Sequence, residues 1–567
     1  MFKKINCLFL PVTFLFLGSA RGQDMGAIGS QKPFTVNGSA QIRGIFYKAS
    51  GIPDRRTPFS YLFSGNLTAN LYGISMPMNF SISEADRSFN QPFNQFGISP
   101  HYRWVTVHLG YRNISFSPYT LGGYTMLGAG FELNPGKLRV GFMYGRLNRA
   151  TTLDTTTQSL APVSFTRKAL AFKLGYGSRD NFVDLSVLKG KDDPGSLLAP
   201  KHMLDSLDVL PAANTVIALS ARFSLAKHFF FEGDIGSSLY TRDVNSPLTL
   251  DSLNDPLLKK LRTITPVNGT SELYTAISAA IGYRAKAGSI KFQYQRVDPD
   301  FKSMGAYFFN SDLVNYTIAP AFRALRNKLR FNGSIGFQHD NLQHQKAATS
   351  HKVIGTALLS ADFTKELGID VNFSNFSNNQ QPNTIRFADS LKIVQTTRNI
   401  SVSPRWMHIG TAITHTVILS ANLMRMNDFN NYFAQNAISR NVDYDQYYLN
   451  YTVGITPAAL TLFVNISTTR AEATGTTDRN KGATLGCSKS FFKSAFLASA
   501  SAGFFTGQRN GGDDHTVNAS SSLQYKFLHR HSLRALFFYT SDKPVNASVL
   551  LPEFSELRAE LGYDYSF

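Results

Sequence analysis

Lys137-Leu138-Arg139-Val140-Gly141-Phe142-Met143-Tyr144 reads two ways at once. Leu138, Val140, Phe142 and Tyr144 form one set, and Lys137, Arg139, Gly141 and Met143 the other. A period of two is that of a β-strand, whose successive side chains point to opposite faces. The same pattern recurs along the chain. Leu329, Phe331, Ile335 and Phe337 alternate with Arg330, Asn332 and Ser334. Leu367, Ile369, Val371 and Phe373 alternate with Gly368, Asp370 and Asn372, and Leu460, Leu462, Val464 and Ile466 with Thr461, Phe463 and Asn465.

Alternation alone also suits a water-soluble sandwich, so the connections decide. The chain reads as about 26 alternating segments, near the top of the common even-numbered series of transmembrane barrels. Short links include Tyr72-Gly73, Asn134-Pro135-Gly136, Ser178-Arg179, Arg326-Asn327 and His529-Arg530. The hairpin at Arg103-Trp104-Val105 is the least regular. Long links cover 49–60, 83–96, 114–124, 149–163, 190–213, 242–270, 299–311, 377–393 and 427–445. Short turns at one rim and long loops at the other predict an all-β fold, a single closed antiparallel transmembrane β-barrel with short periplasmic turns and long extracellular loops. Closure follows from the solvent, because hydrocarbon leaves no partner for an open strand edge.

The apolar set then faces lipid and the other set faces the lumen. Lumenal charges on this reading are Arg43, Arg139, Arg167, Lys173, Asp184, Glu232, Asp234, Lys291, Arg330, Asp370 and Asp564. Their signs are mixed, and no ring of a single sign emerges. Cys487 shares a face with Ala483 and Leu485 and is expected to point to lipid as a free thiol.

Composition supports the same class. Charged residues are 17%, below the roughly 25% usual in soluble domains, while Phe and Tyr number 46 and 24. No internal run of ~20 apolar residues would make a transmembrane helix. At the start, Lys3 and Lys4 precede an apolar stretch to Leu17, and Gly18-Ser19-Ala20 offers a small-residue cleavage site. Residues 1–22 therefore read as a secretory signal peptide, 23–33 as a short N-terminal segment and 34–567 as the barrel. Without Lys3, Lys4 and Arg21 the basic count falls from 57 to 54 against 38 acids, leaving a charge of +16. Alternation begins near Val36, which leaves no room for a plug domain.

The last strand carries Leu557, Ala559, Leu561, Tyr563, Tyr565 and Phe567 on one face. Leu561, Tyr563, Tyr565 and Phe567 resemble the C-terminal β-signal of outer-membrane proteins, which implies the barrel assembly machinery as a partner during biogenesis. The stretch Asn94-Gln95-Phe96-Gly97-Ile98-Ser99-Pro100-His101-Tyr102-Arg103-Trp104, the run LGYRNISFSPYTLGG at 109–123 and the run RVDPDFKSMGAYFFNSDL at 296–313 resemble the plugless large outer-membrane barrels of Bacteroidota. That resemblance implies export to the cell outer membrane and assigns no function to any residue.

Chemistry is sparse. Asp513-Asp514-His515, read as part of an outer loop, is a contiguous triplet whose neighbours point to alternate sides and cannot by itself form an acid–base site. His339, Asp340, His344 and His351 match no zinc spacing. No Gly-x-Ser-x-Gly elbow and no phosphate-cradling or dinucleotide motif is present. The expectation is no enzyme, no metal and no cofactor. An alternating barrel with an export signal also speaks against nucleic acid as the reason for the basic excess. Arg179, Lys227, Arg326, Lys328 and Arg530 lie in short turns, where inner-leaflet headgroups or water would meet them.

Two loops stand out: 427–445 combines five asparagines with Phe429, Tyr432 and Phe433, and 255–262 has a helical pattern. The function expected is a passive channel or translocation conduit gated by inward-folded loops. The best gate candidates are 190–213 and 242–270, which carry Leu197, Leu198, Leu257 and Leu258. The alternative is a structural or scaffold subunit with a filled lumen in an outer-membrane complex. Outer-membrane lipid and complex subunits are the expected partners.

Overall fold

Every strand hydrogen-bonds the strands that precede and follow it in sequence, always antiparallel, in the computed structural model. The first strand, Phe34–Ser50, also pairs with the last, Phe554–Ser566, from Ser39 opposite Ser566 to Ser50 opposite Ser555. That pairing closes the sheet and removes both edges, which a membrane-spanning sheet requires. The structure describes residues 33–84, 95–151, 163–197, 209–248, 265–306, 310–345, 348–382, 393–428, 440–473, 475–509, 512–545 and 552–567. The signal-peptide reading, the 255–262 helix and most of 427–445 lie outside them.

Twenty-seven strand segments make 26 strands, because Gln95–Ile98 and His101–Tyr102 are two pieces of one. Both pieces pair with Ile74–Ser83 on one side and Val105–Ser115 on the other. The break falls at Ser99-Pro100, where proline has no N–H to give the ladder. The hairpin at Arg103-Trp104 follows at once, with Tyr102 opposite Val105 and Arg103 at φ 53°. Tyr72-Gly73 also turns in two residues, both at positive φ, 48° and 85°. Two positive φ angles match the right-handed twist of the strands that a two-residue turn joins.

Both ends of the barrel chain lie at the rim of short turns, since Phe34 sits opposite Leu71 beside Tyr72-Gly73 and Ser566 opposite Ser39. At the other rim the connections are not uniformly long. Only two residues separate Ala473 from Thr476, and two separate Arg509 from Gly512. Gly475 at φ 78° supplies the positive angle the first of these tight turns needs. Sorting by length therefore fails at these two links, while at the same rim 13 residues separate Asp428 from Val442 and nine separate Pro544 from Phe554. Asp513-Asp514-His515 correspondingly lies in the strand Gly512–Phe527, not in a loop.

Leu170, Phe172, Leu174, Val183, Leu185, Ile217, Leu219, Ile335, Phe337, Leu462, Ile466 and Leu561 are all exposed, on one side of their strands. This apolar outer belt is the surface hydrocarbon covers. Cys487 is exposed on it, opposite Leu462 and Ala500.

Candidate functional site

The inner face of the barrel is built differently along its circumference. In the strands Arg167–Gly177, Phe182–Asp192 and Ala213–Leu225, Ala171, Leu188 and Val216 are fully buried although they lie opposite the lipid face. What covers them is two in-folded loops, 116–121 and 298–306. Loop 116–121 closes on itself through Phe116 N–H donating to Leu121 O at 2.8 Å. The loops join where Gly122 N–H donates to Gly305 O at 2.8 Å and Ser303 Oγ to Thr120 O at 3.1 Å. Tyr119 and Phe301 meet edge to face at 5.6 Å.

Both loops are tied to the wall. Thr120 Oγ1 and Ser186 Oγ share a hydrogen bond of 3.0 Å. Met304 N–H donates to Asn214 Oδ1 at 3.0 Å, and Ser238 Oγ to Lys302 O at 2.6 Å. Leu121, Met126, Met143, Leu188, Val216 and Met304 form the apolar cluster beneath. Each such side chain contributes roughly 1.5–3 kcal/mol on full burial. The wall makes room at Gly236, where a Cβ would stand 2.7 Å from Tyr119 Cβ, and at Gly141, where it would stand 2.7 Å from the Phe116 ring. Burial, and secondarily the Asp234 carboxylate, push the Tyr119 phenol up to about 12, so it stays neutral.

Among the described residues, the loops that fold inward include 116–121 and 298–306, within the long links 114–124 and 299–311 except at residue 298. The expected gates 190–213 and 242–270 fall in good part outside the described residues. Of 190–213, Leu197 and Ala212 are buried, and 198–208 lies outside the described residues, as do Leu198, Leu257 and Leu258. The lumenal face is also not polar throughout, because its first third carries Met143, Ala169, Ala171, Leu188 and Val216.

The charged candidates fall into separate groups. Arg139 makes two bonds to Asp184, at 2.8 and 2.9 Å, and Arg167 two to Asp192, at 2.7 and 3.0 Å. Such planar two-point pairs fix orientation as well as charge. Lys173 lies 3.2 Å from Glu132 and 5.0 Å from the Phe116 ring, so it braces the inward loop. Glu132 in turn meets His108 at 3.3 Å, and His108 meets Ser99 Oγ at 2.8 Å. Asp234 accepts from Ser220 at 2.5 Å, and Glu232 sits opposite Arg222. At the closing seam Arg43 pairs with Glu560 at 3.4 Å and Asp564 with Arg534 at 3.9 Å. Arg330 contacts Asp362 at 3.2 Å, and Arg405 joins Asp362 to Asp370. Lys291 lies on the same face opposite Gly282 and Ala319. Sequence reading missed Glu132, Asp192, Asp362, Arg405 and Glu560, which are the partners of the residues it named. His339 and His351 stand opposite each other, with rings 5.9 Å apart.

Beyond Val314 no described hydrophobic side chain is buried. There the lumenal wall presents Asn332, Leu358, Asn372, Ser401, Asn422, Gln446 and Asn465. Leu358 remains 51% exposed. One side of the barrel is thus lined by packed loops, and the facing side is bare among the described residues.

No protein-family model matches the chain, and no curated protein does. Solved structures with some likeness include the P pilus usher PapC translocation pore, at 12% identity and TM-score 0.34, covering 94% of this chain and 100% of that one. Pseudomonas aeruginosa OpdK with vanillate has 11% identity and TM-score 0.30, covering 63% and 93%. Acinetobacter baumannii OccAB2 has 9% identity and TM-score 0.29, covering 63% and 92%.

Proposed function

We propose that the chain is a passive, non-enzymatic conduit of the cell outer membrane whose path runs along the bare side of the lumen. The observation that supports this reading is the one-sided lining: loops 116–121 and 298–306 pack against strands between Val105 and Val297, while the wall from Leu329 to the seam carries polar side chains. A barrel of 26 strands is wider than the roughly 16–18-stranded ones that already hold an aqueous channel. The inward loops narrow that bore without blocking the polar side. In this reading the short-turn rim faces the periplasm, and Leu561, Tyr563, Tyr565 and Phe567 serve as the insertion signal.

Single-channel recording of the purified full chain in a planar bilayer tests it. The expected result is a steady, ohmic conductance that rises when 116–121 is replaced by a short glycine-serine link. A barrel that inserts and never conducts, with or without that loop, would instead be the filled scaffold of an outer-membrane complex.

A further inference from the structure

We propose that the outer face carries a binding site for the phosphate of a lipid headgroup, at the long-loop rim between Val442–Ile455 and Gly512–Phe527. The proposal rests on the membrane-barrel reading above. Register lays two rows of residues across five consecutive strands. The lower row is Tyr447, Thr468, Lys481, Thr506 and His515, and the upper is Asp445, Arg470, Arg479, Gln508 and Asp513. All belong to the lipid-facing side, in line with Leu449, Ile466, Ala483, Phe504 and Val517 immediately below them. The apolar belt therefore ends where these rows begin, which is the depth of the headgroups. The same ten residues line a depression of about 720 Å³.

Its charges are unbalanced in a particular place. Arg470 and Arg479 stand directly opposite each other, and like charges so placed destabilise a sheet. Arg470 is neutralised by Glu472 at 2.5 Å, and Asp445 is taken by Arg425 at 2.5 Å. Arg479 and the adjacent Lys481 have no ion pair or hydrogen bond among the described residues. Thr506, between Lys481 and His515 in its row, has a buried hydroxyl oxygen with no partner. Along the upper row Arg479 lies between Arg470 and Gln508, so the acids at the two ends, Asp445 and Asp513, are each two strands away. An arginine and a lysine side by side, flanked by Thr468, Thr506 and Gln508 as neutral donors, match a phosphate group, with arginine offering two-point contact and lysine a point charge. Tyr447 at the edge has the amphipathic ring that suits the boundary between acyl chain and headgroup.

The full chain is inserted in phosphatidylcholine vesicles containing a minor share of phosphatidic acid, extracted, and its retained lipids counted by native mass spectrometry. Each cation near an anionic surface is worth roughly fivefold in binding, so the Arg479→Gln/Lys481→Gln protein is expected to hold phosphatidic acid about thirtyfold more weakly than the parent. Retained phosphatidylcholine should not change. Lys481→Gln alone, at an exposed position, is read if the double variant fails to insert. The site is overturned if the parent shows no preference for the phosphate lipid, or if Arg326→Gln/Lys328→Gln at the opposite rim removes it equally. Displacement by millimolar inorganic phosphate would overturn the lipid as the source of the anion. Failure of the parent to insert would instead overturn the barrel reading itself.

Discussion

The two sides of this barrel are made of the same strands and solve different problems. From Val105–Ser115 to Gly288–Val297 the inner face carries a buried apolar cluster beside paired charges such as Arg139–Asp184, and loops 116–121 and 298–306 cover it. From Leu329–His339 to the seam the inner face is open and mixed, with polar side chains between exposed apolar ones such as Leu358, and two connections at the long-loop rim are only two residues long. The difference teaches that strand composition and loop length are chosen together. A wall carrying Leu188 and Val216 toward the lumen needs a loop to keep water off them. A wall carrying Asn372, Ser401 and Gln446 satisfies itself with water and needs none.

The largest contrast is expected between ion pairs on the two sides. Asp184 has 3% of its side chain exposed and holds Arg139 at two points, so Asp184→Ala strands a partly buried cation at a cost of roughly 3–5 kcal/mol. Asp564 is more open and 3.9 Å from Arg534, so Asp564→Ala should cost at most about 1 kcal/mol. Urea unfolding of the two variants in the same vesicles reads the difference, and equal losses would break the comparison.

A similar gap is expected for apolar truncation. Leu121 is 0% exposed under the loop junction, and Leu121→Ala should cost roughly 2–5 kcal/mol with a residual cavity. Leu358 points into the same lumen from the bare wall, and Leu358→Ala should stay within about 0.5 kcal/mol. A large loss at Leu358 would mean that something packs on the second wall too.

Much of this is legible in the sequence. The alternation in Leu329 to Phe337 and in Leu460 to Ile466 sets which face is apolar, and closure follows from it. The inward loops were harder to read, although two of the quoted runs, 109–123 and 296–313, turn out to contain them. One signal was available. Ala169-Leu170-Ala171-Phe172 and Val216-Ile217-Ala218-Leu219 are apolar at every position, the mark of strands covered on both faces. The paired charges were half legible, since period two names Arg139 and Asp184 as lumenal but not as partners. Their contact spans two strands and depends on register, which local sequence does not encode. Loop length misleads at 474–475 and 510–511, two-residue links as short as those of the opposite rim.

The account's central claim is that the open path follows the wall from Leu329 to the seam, and blockade by a charged, membrane-impermeant thiol reagent during bilayer recording tests it most directly. In a Cys487→Ser background, Leu358→Cys and Val216→Cys place one thiol on each wall. The account predicts that the reagent cuts the current through the Leu358→Cys protein and leaves the Val216→Cys protein unchanged. Equal blockade of both, or blockade at Val216→Cys alone, would contradict it.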